Sequence, residues 1–172
     1  MERVATYIRK MTGGEARPPY PGMLSTLAAG TGGALAIAVV AGLAAYTGSN
    51  LLMAPFGATC FLAFAVPDSP LAQPRNIVGG HLVASLIGLT CLVILGDGPV
   101  ALAFAMGAAI AVMQLTHTGH PPAAADPIVI MTIAPGWDFL MFPTLIGVLA
   151  IVLVAVLFNN LRRGIRYPRY WW

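Results

Sequence analysis

Long apolar runs, separated by short stretches rich in glycine, proline or polar residues, dominate this chain. Four runs are predicted to be helices long enough to cross about 30 Å of hydrocarbon at about 1.5 Å per residue; they cover residues 24–46, 77–95, 99–116 and 139–158. Two shorter runs, residues 55–66 and 122–134, reach only ~18 Å as helices. Each begins at a proline after helix-breaking residues, and proline fits the first turn of a helix. We therefore predict that Pro55 and Pro122 begin two half-helices.

The apolar pattern repeats at a constant offset of 67 residues. This offset aligns the similar runs 34–41 and 101–108, and it pairs Pro55 with Pro122, Ala58 with Ala125, Gly80 with Gly147, Leu82 with Leu149 and Leu86 with Leu153. Two copies of one apolar unit, each with a broken segment at the matching place, are typical of secondary transporters and channels. In such proteins the broken segments mark the binding site.

Two membrane topologies fit the six apolar segments. If each short segment completes a crossing, both termini and the connection around Arg75 lie in the cytoplasm with all 9 Lys and Arg side chains, as the positive-inside rule favours. If both short segments are re-entrant hairpins, the chain crosses four times and Arg75 lies outside. Six crossings give three segments per copy, so the second copy is inverted and the half-helix N-termini face each other near mid-membrane.

We therefore predict an all-α membrane protein of two inverted repeats, with four full spans plus two half-helices. The predicted divisions are a basic cytoplasmic tail (residues 1–23), membrane repeat 1 (24–90), membrane repeat 2 (91–158) and a basic, aromatic cytoplasmic tail (159–172). Within the last, residues 166–172 are predicted to anchor the chain at the membrane interface. We expect an integral protein of a bacterial inner membrane with both termini in the cytoplasm.

Composition supports the membrane assignment. The chain is 58% hydrophobic and 9% charged, whereas soluble domains carry about 25% charged residues. The basic side chains flank the spans and form no single basic face, which argues against nucleic-acid binding. Cys60 and Cys91 match neither a metal spacing nor a disulfide framework, and no cofactor is expected. Because a thin bundle must shield its broken segments from lipid, we expect a homo-oligomer, most simply a dimer.

The predicted site lies where the two half-helices begin. A helix N-terminus offers unpaired N–H groups and about half a positive charge, so two convergent N-termini favour a small inorganic anion. Small side chains, the Thr59 hydroxyl and the His120 imidazole fit such a site. The candidate binding residues are Pro55, Phe56, Gly57, Ala58, Thr59, His120, Pro121, Pro122, Ala123, Ala124 and Asp126. Asp126 leaves two interpretations open: an ordinary helix-end aspartate, or a carboxylate that couples protons or attracts a cation.

Four further polar side chains are candidates for the pathway or for coupling: Arg75, His81, Gln114 and His117. His81 either hydrogen-bonds a neighbouring helix or belongs to the pathway. Arg75 either belongs to a rigid turn or draws anions to the cytoplasmic mouth. Gln114 and His117 also fit a simple interfacial placement. The three histidines match no metal-binding spacing, so no metal is predicted.

Two stretches resemble the HPP family of integral membrane proteins. One is Ser-Pro-Leu-Ala-Gln-Pro-Arg-Asn at residues 69–76, followed by Gly79-Gly80-His81; the other is His120-Pro121-Pro122, which contains the triplet for which the family is named. The resemblance covers about residues 24–157. It implies a small transporter, usually drawn with four transmembrane helices, and nitrite as the first candidate substrate, because plant chloroplast and cyanobacterial members are associated with nitrite transport. Asp126-Pro127 departs from the family's usual Ala-Thr-Ala continuation.

Three classes of function are compatible with this sequence. The leading hypothesis is a transporter or channel for a small anion, embedded in membrane lipid. The second is a non-transport scaffold or the anchor subunit of a complex. The third is a membrane enzyme in which Asp126 and His120 act as acid and base. The sequence shows no nucleophile–base pair or metal set, so we expect no enzymatic activity.

Overall fold

A computed structural model describes residues 2–12 and 14–172, and these residues form helices and connecting turns, without a β-strand. The α-helices are α1 (Glu2–Lys10), α2 (Met23–Thr47), α3 (Pro55–Ala65), α4 (Pro74–Leu95), α5 (Pro99–Leu115), α6 (Asp126–Ile133) and α7 (Ile146–Leu161). Short 3-10 turns cover Pro70–Ala72, Pro121–Ala125 and Trp137–Leu140, and the stretch Met141–Leu145 contains a kink at Phe142, where the backbone is not helical. The all-α prediction is confirmed. Helix α1 falls within the stretch that the sequence indicated only as a basic tail.

Three segments are long and apolar enough to span a membrane: α2, α4 and the segment Trp137–Leu161, which is kinked at Phe142 and ends with α7. The structure has three such long segments where four full spans were predicted: α5 has 17 residues and groups with the shorter apolar helices. α5 stops because His117 adopts the left-handed conformation, with φ 54°. The N–H groups of His117 and Thr118 then close back on the carbonyls of Gln114 and Met113, which is a Schellman C-cap.

The two broken segments differ at their starts. α3 begins at Pro55, as predicted. The second segment begins with the 3-10 turn Pro121–Ala125, and its α-helix starts at Asp126 rather than at Pro122. Pro127 has no N–H to donate to the Ala123 carbonyl, so an α-helical hydrogen bond cannot form across this turn.

α4 and α6 run side by side in the same direction. Early in α4, Gly80 lies against His120, just ahead of the second broken segment. Two turns later, Gly88 lies against Pro127 and Ile130 of α6. A side chain on either glycine would overlap these neighbours, so the glycines permit the close approach.

α3 and α7 form a second parallel pair, which runs opposite to α4. Near their starts, Phe56 of α3 packs over Gly147 of α7. Near their ends, Asn159 Nδ2 of α7 donates a hydrogen bond of 2.9 Å to the Ala63 carbonyl of α3. In the tail that follows α7, the Tyr170 hydroxyl oxygen lies 3.1 Å from Oδ1 of Asn76, in the first turn of α4. α3 and α6 therefore run past each other in opposite directions.

Two glycines make reciprocal contacts between the halves of the chain. A Cβ on Gly80 would lie 2.9 Å from the carbonyl oxygen of Thr118, and a Cβ on Gly147 would lie 3.4 Å from that of Leu51. The 67-residue offset relates Gly80 to Gly147 and Leu51 to Thr118. In each half, the last helix (α4 or α7) therefore packs against the residues just before the broken segment of the other half, which include Thr118 and Leu51. We call these preceding residues the lead-in.

Buried apolar side chains form one main cluster between α2, α3 and α7, which includes Phe56, Phe64 and Ile151. A smaller cluster between α4 and α5 includes Met113. Many large apolar side chains elsewhere on the helices are exposed, for example Phe104 at 61%. Such an outer surface is what helices present to lipid tails.

The stretch 69–76 holds the C-terminal tail against the bundle. Gln73 is fully buried, and its Nε2 donates to the carbonyls of Pro67 and Ser69 at 2.9 and 2.8 Å. Its Oε1 accepts a hydrogen bond of 2.7 Å from the backbone N–H of Arg169. The Gln73 amide therefore bridges the turn and the tail.

Aromatic and charged side chains of the tail complete this contact. Tyr167 is 2% exposed, its Oη donates to the Ala72 carbonyl at 2.7 Å, and burial raises the pKa of the phenol. Arg169 pairs with Asp68, and Tyr170 Oη donates to the Pro70 carbonyl at 3.0 Å. These three side chains hold the tail to the turn, whereas the two terminal tryptophans are exposed. The interfacial anchor stays a prediction. The tail and the turn 69–76 therefore lie on the same side of the bundle.

Candidate functional site

A chain of hydrogen-bonded polar side chains lies buried where α3, α4 and the second broken segment meet. At its centre is the hydroxyl of Thr59, on the second turn of α3. Its Oγ1 lies 2.9 Å from Nε2 of His81 and 3.0 Å from Nε2 of His120. Thr59 and His81 are 0% exposed and His120 is 1% exposed. One hydroxyl is therefore shared by two imidazoles within the apolar bundle.

The chain continues from His81 to a buried carboxylate. His81 Nδ1 lies 2.8 Å from Oδ2 of Asp126, the first residue of α6. The same oxygen accepts a hydrogen bond of 3.0 Å from Ser85 Oγ, which also lies 3.1 Å from the Thr144 hydroxyl. The other oxygen, Asp126 Oδ1, is buried without a hydrogen-bond partner. Buried polar atoms are normally hydrogen-bonded, so this oxygen is a candidate contact for a proton, an ordered water or a ligand.

The opposite end of the chain is anchored on the backbone. His120 Nδ1 lies 2.7 Å from the carbonyl oxygen of Leu71. Because a carbonyl only accepts, His120 carries a hydrogen on Nδ1. Asn76 Nδ2 donates to the Gly119 carbonyl at 2.9 Å, and the Arg75 guanidinium donates to the Thr116 carbonyl at 3.1 Å. The turn 69–76 thus positions the lead-in that carries His120.

Packing fixes the orientation of the imidazoles. The Phe56 ring meets His81 edge to face, with ring centroids 5.6 Å apart. The rings of His81 and His120 lie 5.2 Å apart at 61°. Phe56 is itself fully buried and lies over Gly147, so a shift of His81 would disturb the contact between α3 and α7.

Two clefts border this cluster. One of about 730 Å³ lies between α3 and the second broken segment, and its lining residues are all apolar: Ala54, Pro55, Ala58, Phe61, Leu62, Pro121, Pro122, Ala125, Ile128 and Val129. The other, of about 300 Å³, lies beside α5, and Leu71, Gln114 and His120 contribute to its lining. His120 therefore connects the buried chain to the smaller cleft.

The structure places the predicted site residues in several different surroundings. Thr59, His81, His120 and Asp126 come together in one cluster. Pro55, Ala58, Pro121 and Pro122 line the large cleft, while Ala124 and Gln114 line the small one. Phe56 and Ala123 are buried, Gly57 lines a separate cleft beside α2, and Arg75 bonds to the lead-in backbone. His117 is exposed and serves as the left-handed C-cap residue of α5.

The N–H groups predicted to hold an anion are largely occupied. At the start of α3, Pro55 has no N–H, and the N–H groups of Phe56 and Gly57 donate to the carbonyls of Met53 and Ala54 at 3.0 and 3.2 Å. At the second segment, two prolines again have no N–H, and the next residue donates to the His120 carbonyl. These N-termini therefore offer an anion few free donors.

Ser85, Thr144 and the Leu71 carbonyl belong to the cluster but were not predicted. The available signal was the isolated hydroxyl of Ser85, in the same span as His81 and one helical turn from it. Within residues 2–12 and 14–172, no group of three or more His, Cys, Asp or Glu side chains is arranged to hold a metal ion.

Comparisons with known proteins agree with the membrane fold. The profile of the family described as "HPP, transmembrane region" matches residues 18–168. A transmembrane protein of Dictyostelium discoideum is 34% identical over 183 aligned positions, which cover 98% of this chain and 64% of that protein. A second transmembrane protein of the same organism is 36% identical over 129 positions, which cover 70% of this chain and 42% of that protein. This chain thus spans less than two thirds of the length of either relative.

No solved structure matches the chain. The family profile covers the broken segments, the His-Pro-Pro triplet at residues 120–122 and the turn that positions His120. Both relatives are transmembrane proteins, in agreement with the three long apolar helices. The chain is an integral membrane protein that belongs to the HPP transmembrane family.

Proposed function

We propose that this protein is a transporter that moves a small weak-acid anion together with a proton, with nitrite as the first candidate. The observation that carries the proposal is the buried cluster of Thr59, His81, His120 and Asp126, in which one carboxylate oxygen has no partner. Ionisable side chains are costly inside a membrane protein and by default mark ion or proton pathways. A scaffold or anchor subunit has no need for such a cluster.

The large apolar cleft supports a protonated form of the substrate. Its walls are apolar and the nearby N–H groups are paired, so a bare anion would lose its hydration without replacement. Ala58 and Ala125 line the cleft, and each is followed in the chain by a cluster residue, Thr59 and Asp126. A proton from the cluster would neutralise the anion, and a neutral acid crosses an apolar passage at much lower cost.

The proposal includes the inverted repeat, cytoplasmic termini and a homo-oligomer in lipid. The opposite directions of α3 and α6 support the inversion, as do the reciprocal contacts of Gly80 and Gly147. Transporters of this design bind substrate at the interface between repeats. The large cleft lies between the two broken segments, one from each half.

Uptake into proteoliposomes tests the proposal. With the outside more acidic than the inside, nitrite and formate should accumulate, because both form neutral weak acids, whereas nitrate and chloride should not. Asp126→Asn should abolish the gradient-driven part, and His117→Asn should retain it because asparagine tolerates the left-handed conformation at this exposed position. Protein-free vesicles measure passive permeation. If folded protein takes up none of the four anions, the transport proposal is overturned. Chloride uptake that does not depend on pH would instead indicate an anion channel.

A membrane enzyme is a second candidate, favoured by one observation. The Asp126 carboxylate lies within hydrogen-bond distance of His81 Nδ1, and His81 Nε2 lies within hydrogen-bond distance of the Thr59 hydroxyl. This is the order found in nucleophile–histidine–acid triads. The fully buried hydroxyl and its second imidazole partner favour proton transfer over nucleophilic attack. An acylating reagent that labels Thr59 in the native protein, but not in Thr59→Val, would favour the enzyme.

A further inference from the structure

The Thr59 hydroxyl has one hydrogen and two nitrogen neighbours. Nε2 of His81 and Nε2 of His120 lie 2.9 and 3.0 Å from its oxygen, closer than the Pro55 carbonyl at 3.2 Å. The two nitrogens cannot both accept a single hydrogen. At least one Nε2 must therefore carry its own hydrogen and donate it to the hydroxyl oxygen.

The remaining nitrogens determine how many protons the cluster holds. His120 already has a hydrogen on Nδ1, directed at the Leu71 carbonyl, so a second one on Nε2 makes it an imidazolium. If His81 carries the Nε2 hydrogen instead, its Nδ1 can bond Asp126 Oδ2 only through one further hydrogen. That hydrogen lies either on Nδ1 or on Oδ2. In both cases the cluster holds one proton more than two neutral imidazoles and a carboxylate. Its net charge is then zero, which suits a site removed from water.

We infer that Thr59, His81, His120 and Asp126 form a proton-binding site that holds one transferable proton and passes it between Asp126 and His120 through the Thr59 hydroxyl. In the first state Asp126 is a neutral acid, and its Oδ2–H donates to Nδ1 of His81. His81 Nε2–H donates to Thr59, and the Thr59 hydrogen is directed at Nε2 of His120.

Transfer moves three hydrogens by one bond each. The Asp126 O–H bond breaks as an N–H bond forms at Nδ1 of His81, and the hydrogen on His81 Nε2 passes to the Thr59 oxygen. The original Thr59 hydrogen forms a new bond to Nε2 of His120. His120 becomes an imidazolium and Asp126 a carboxylate, so one positive charge moves across the cluster without a change in its total charge.

The ends of this relay have different surroundings. His120 lines the cleft of about 300 Å³ beside α5, where a proton can enter or leave. Asp126 is fully buried, and its Oδ1 has no hydrogen-bond partner. The relay thus connects an imidazole that borders a cleft with a fully buried carboxylate that has one oxygen without a partner.

Other titratable groups on the packed elements face elsewhere. On α4, Arg75 donates to the Thr116 carbonyl, and Cys91 lies in an apolar cluster with α5. On α3, Cys60 lies beside Gly33 of α2. α5, α6 beyond Asp126 and α7 carry no titratable side chain. The proton balance therefore involves the two imidazoles and the carboxylate of the cluster.

Nitrogen-15 NMR of histidine-labelled protein in lipid nanodiscs tests this inference without any anion. His117→Asn serves as the background, because it leaves only His81 and His120 to be observed. At neutral pH we expect a hydrogen on His120 Nδ1 and at least one hydrogen on an Nε2 atom. A spectrum with two neutral imidazoles, both protonated only at Nδ1, would overturn the proposal whatever the transport assays show.

Titration of Thr59 variants tests the relay itself. In the His117→Asn background and in Thr59→Ser, which keeps the hydroxyl, both imidazole signals should change in one shared step as the cluster releases one proton. In Thr59→Val, which has the same shape without the hydroxyl, the two imidazoles should titrate separately. Separate titration in the presence of Thr59 would contradict the relay, and this measurement stands even if the valine variant fails to fold. Loss of anion uptake with an intact shared step would instead contradict only the proposed transport.

Discussion

Replacing Gly80 by alanine tests the close contact between α4 and the lead-in to the second broken segment. A Cβ on Gly80 would lie 2.7 Å from His120 Cβ and 2.9 Å from the Thr118 carbonyl oxygen. Neither atom is the far end of a flexible side chain, so relief requires movement of the lead-in backbone. That backbone is held by hydrogen bonds from Asn76 and Arg75. We expect Gly80→Ala to destabilise the protein and displace His120.

The size of this destabilisation is obtained by comparing Gly80→Ala with a matched control variant. Gly107 lies inside α5, and no atom lies within 4 Å of the place that its Cβ would take, so Gly107→Ala adds a methyl group in open space. Both variants gain about 1 kcal/mol of helix propensity, and their difference isolates the overpacking cost of about 1–3 kcal/mol. At roughly 2–4 °C per kcal/mol for a chain of this length, Tm should differ between them by roughly 2–12 °C.

Thermal unfolding of both variants in one detergent, followed by circular dichroism, measures this difference. The histidine NMR spectrum provides a second readout, because the His120 signals should shift in Gly80→Ala and stay in place in Gly107→Ala. Equal unfolding temperatures with unchanged His120 signals would refute the close contact on which the site geometry depends.

Four further variants examine the tail and the topology. Tyr167→Phe leaves the Ala72 carbonyl buried without its donor and should cost about 1–3 kcal/mol by chemical unfolding. Because burial raises the pKa of Tyr167, the neutral phenol stabilises the native state fully below about pH 10 and progressively less above it. In a pH series, the phenylalanine variant should lack this loss of stability at alkaline pH. Arg169→Ala should cost only about 0–1 kcal/mol, since its ion pair is about half exposed. Ser69→Cys and Arg166→Cys should react with a membrane-impermeant maleimide from the same face of sealed vesicles, and reaction from opposite faces would exclude six crossings.

The sequence was sufficient to predict the start of α3 but not that of α6. Pro55 is a single proline after a turn and takes the first helical position, where its missing N–H costs nothing. Around Pro122, a second proline precedes and Pro127 follows, so the chain cannot form continuous α-helical hydrogen bonds. Spacing between prolines, rather than the presence of one, determines where the helix begins.

The sequence was sufficient to predict residues of the buried cluster, but not how they are connected. Thr59, His120 and Asp126 were chosen because they adjoin the broken segments, and hydrogen bonding of His81 to a neighbouring helix was one of two interpretations. Their connection depends on contacts between residues 22 to 61 positions apart in the chain, which no local pattern encodes. The contact between the tail and the turn 69–76 was missed for the same reason, because it joins residues about 100 positions apart.

The reciprocal contacts of Gly80 and Gly147 bear on how the two halves depend on each other. A fragment ending at Leu95 contains the lead-in at Leu51 but lacks the glycine that receives it, and a fragment beginning at Pro99 lacks the glycine for Thr118. Each would leave irregular backbone facing lipid, where its polar groups find no partners. We therefore expect that neither half folds as an autonomous unit. Because the short link between Leu95 and Pro99 joins the two complementary halves in one chain, they are made in equal numbers and inserted next to each other.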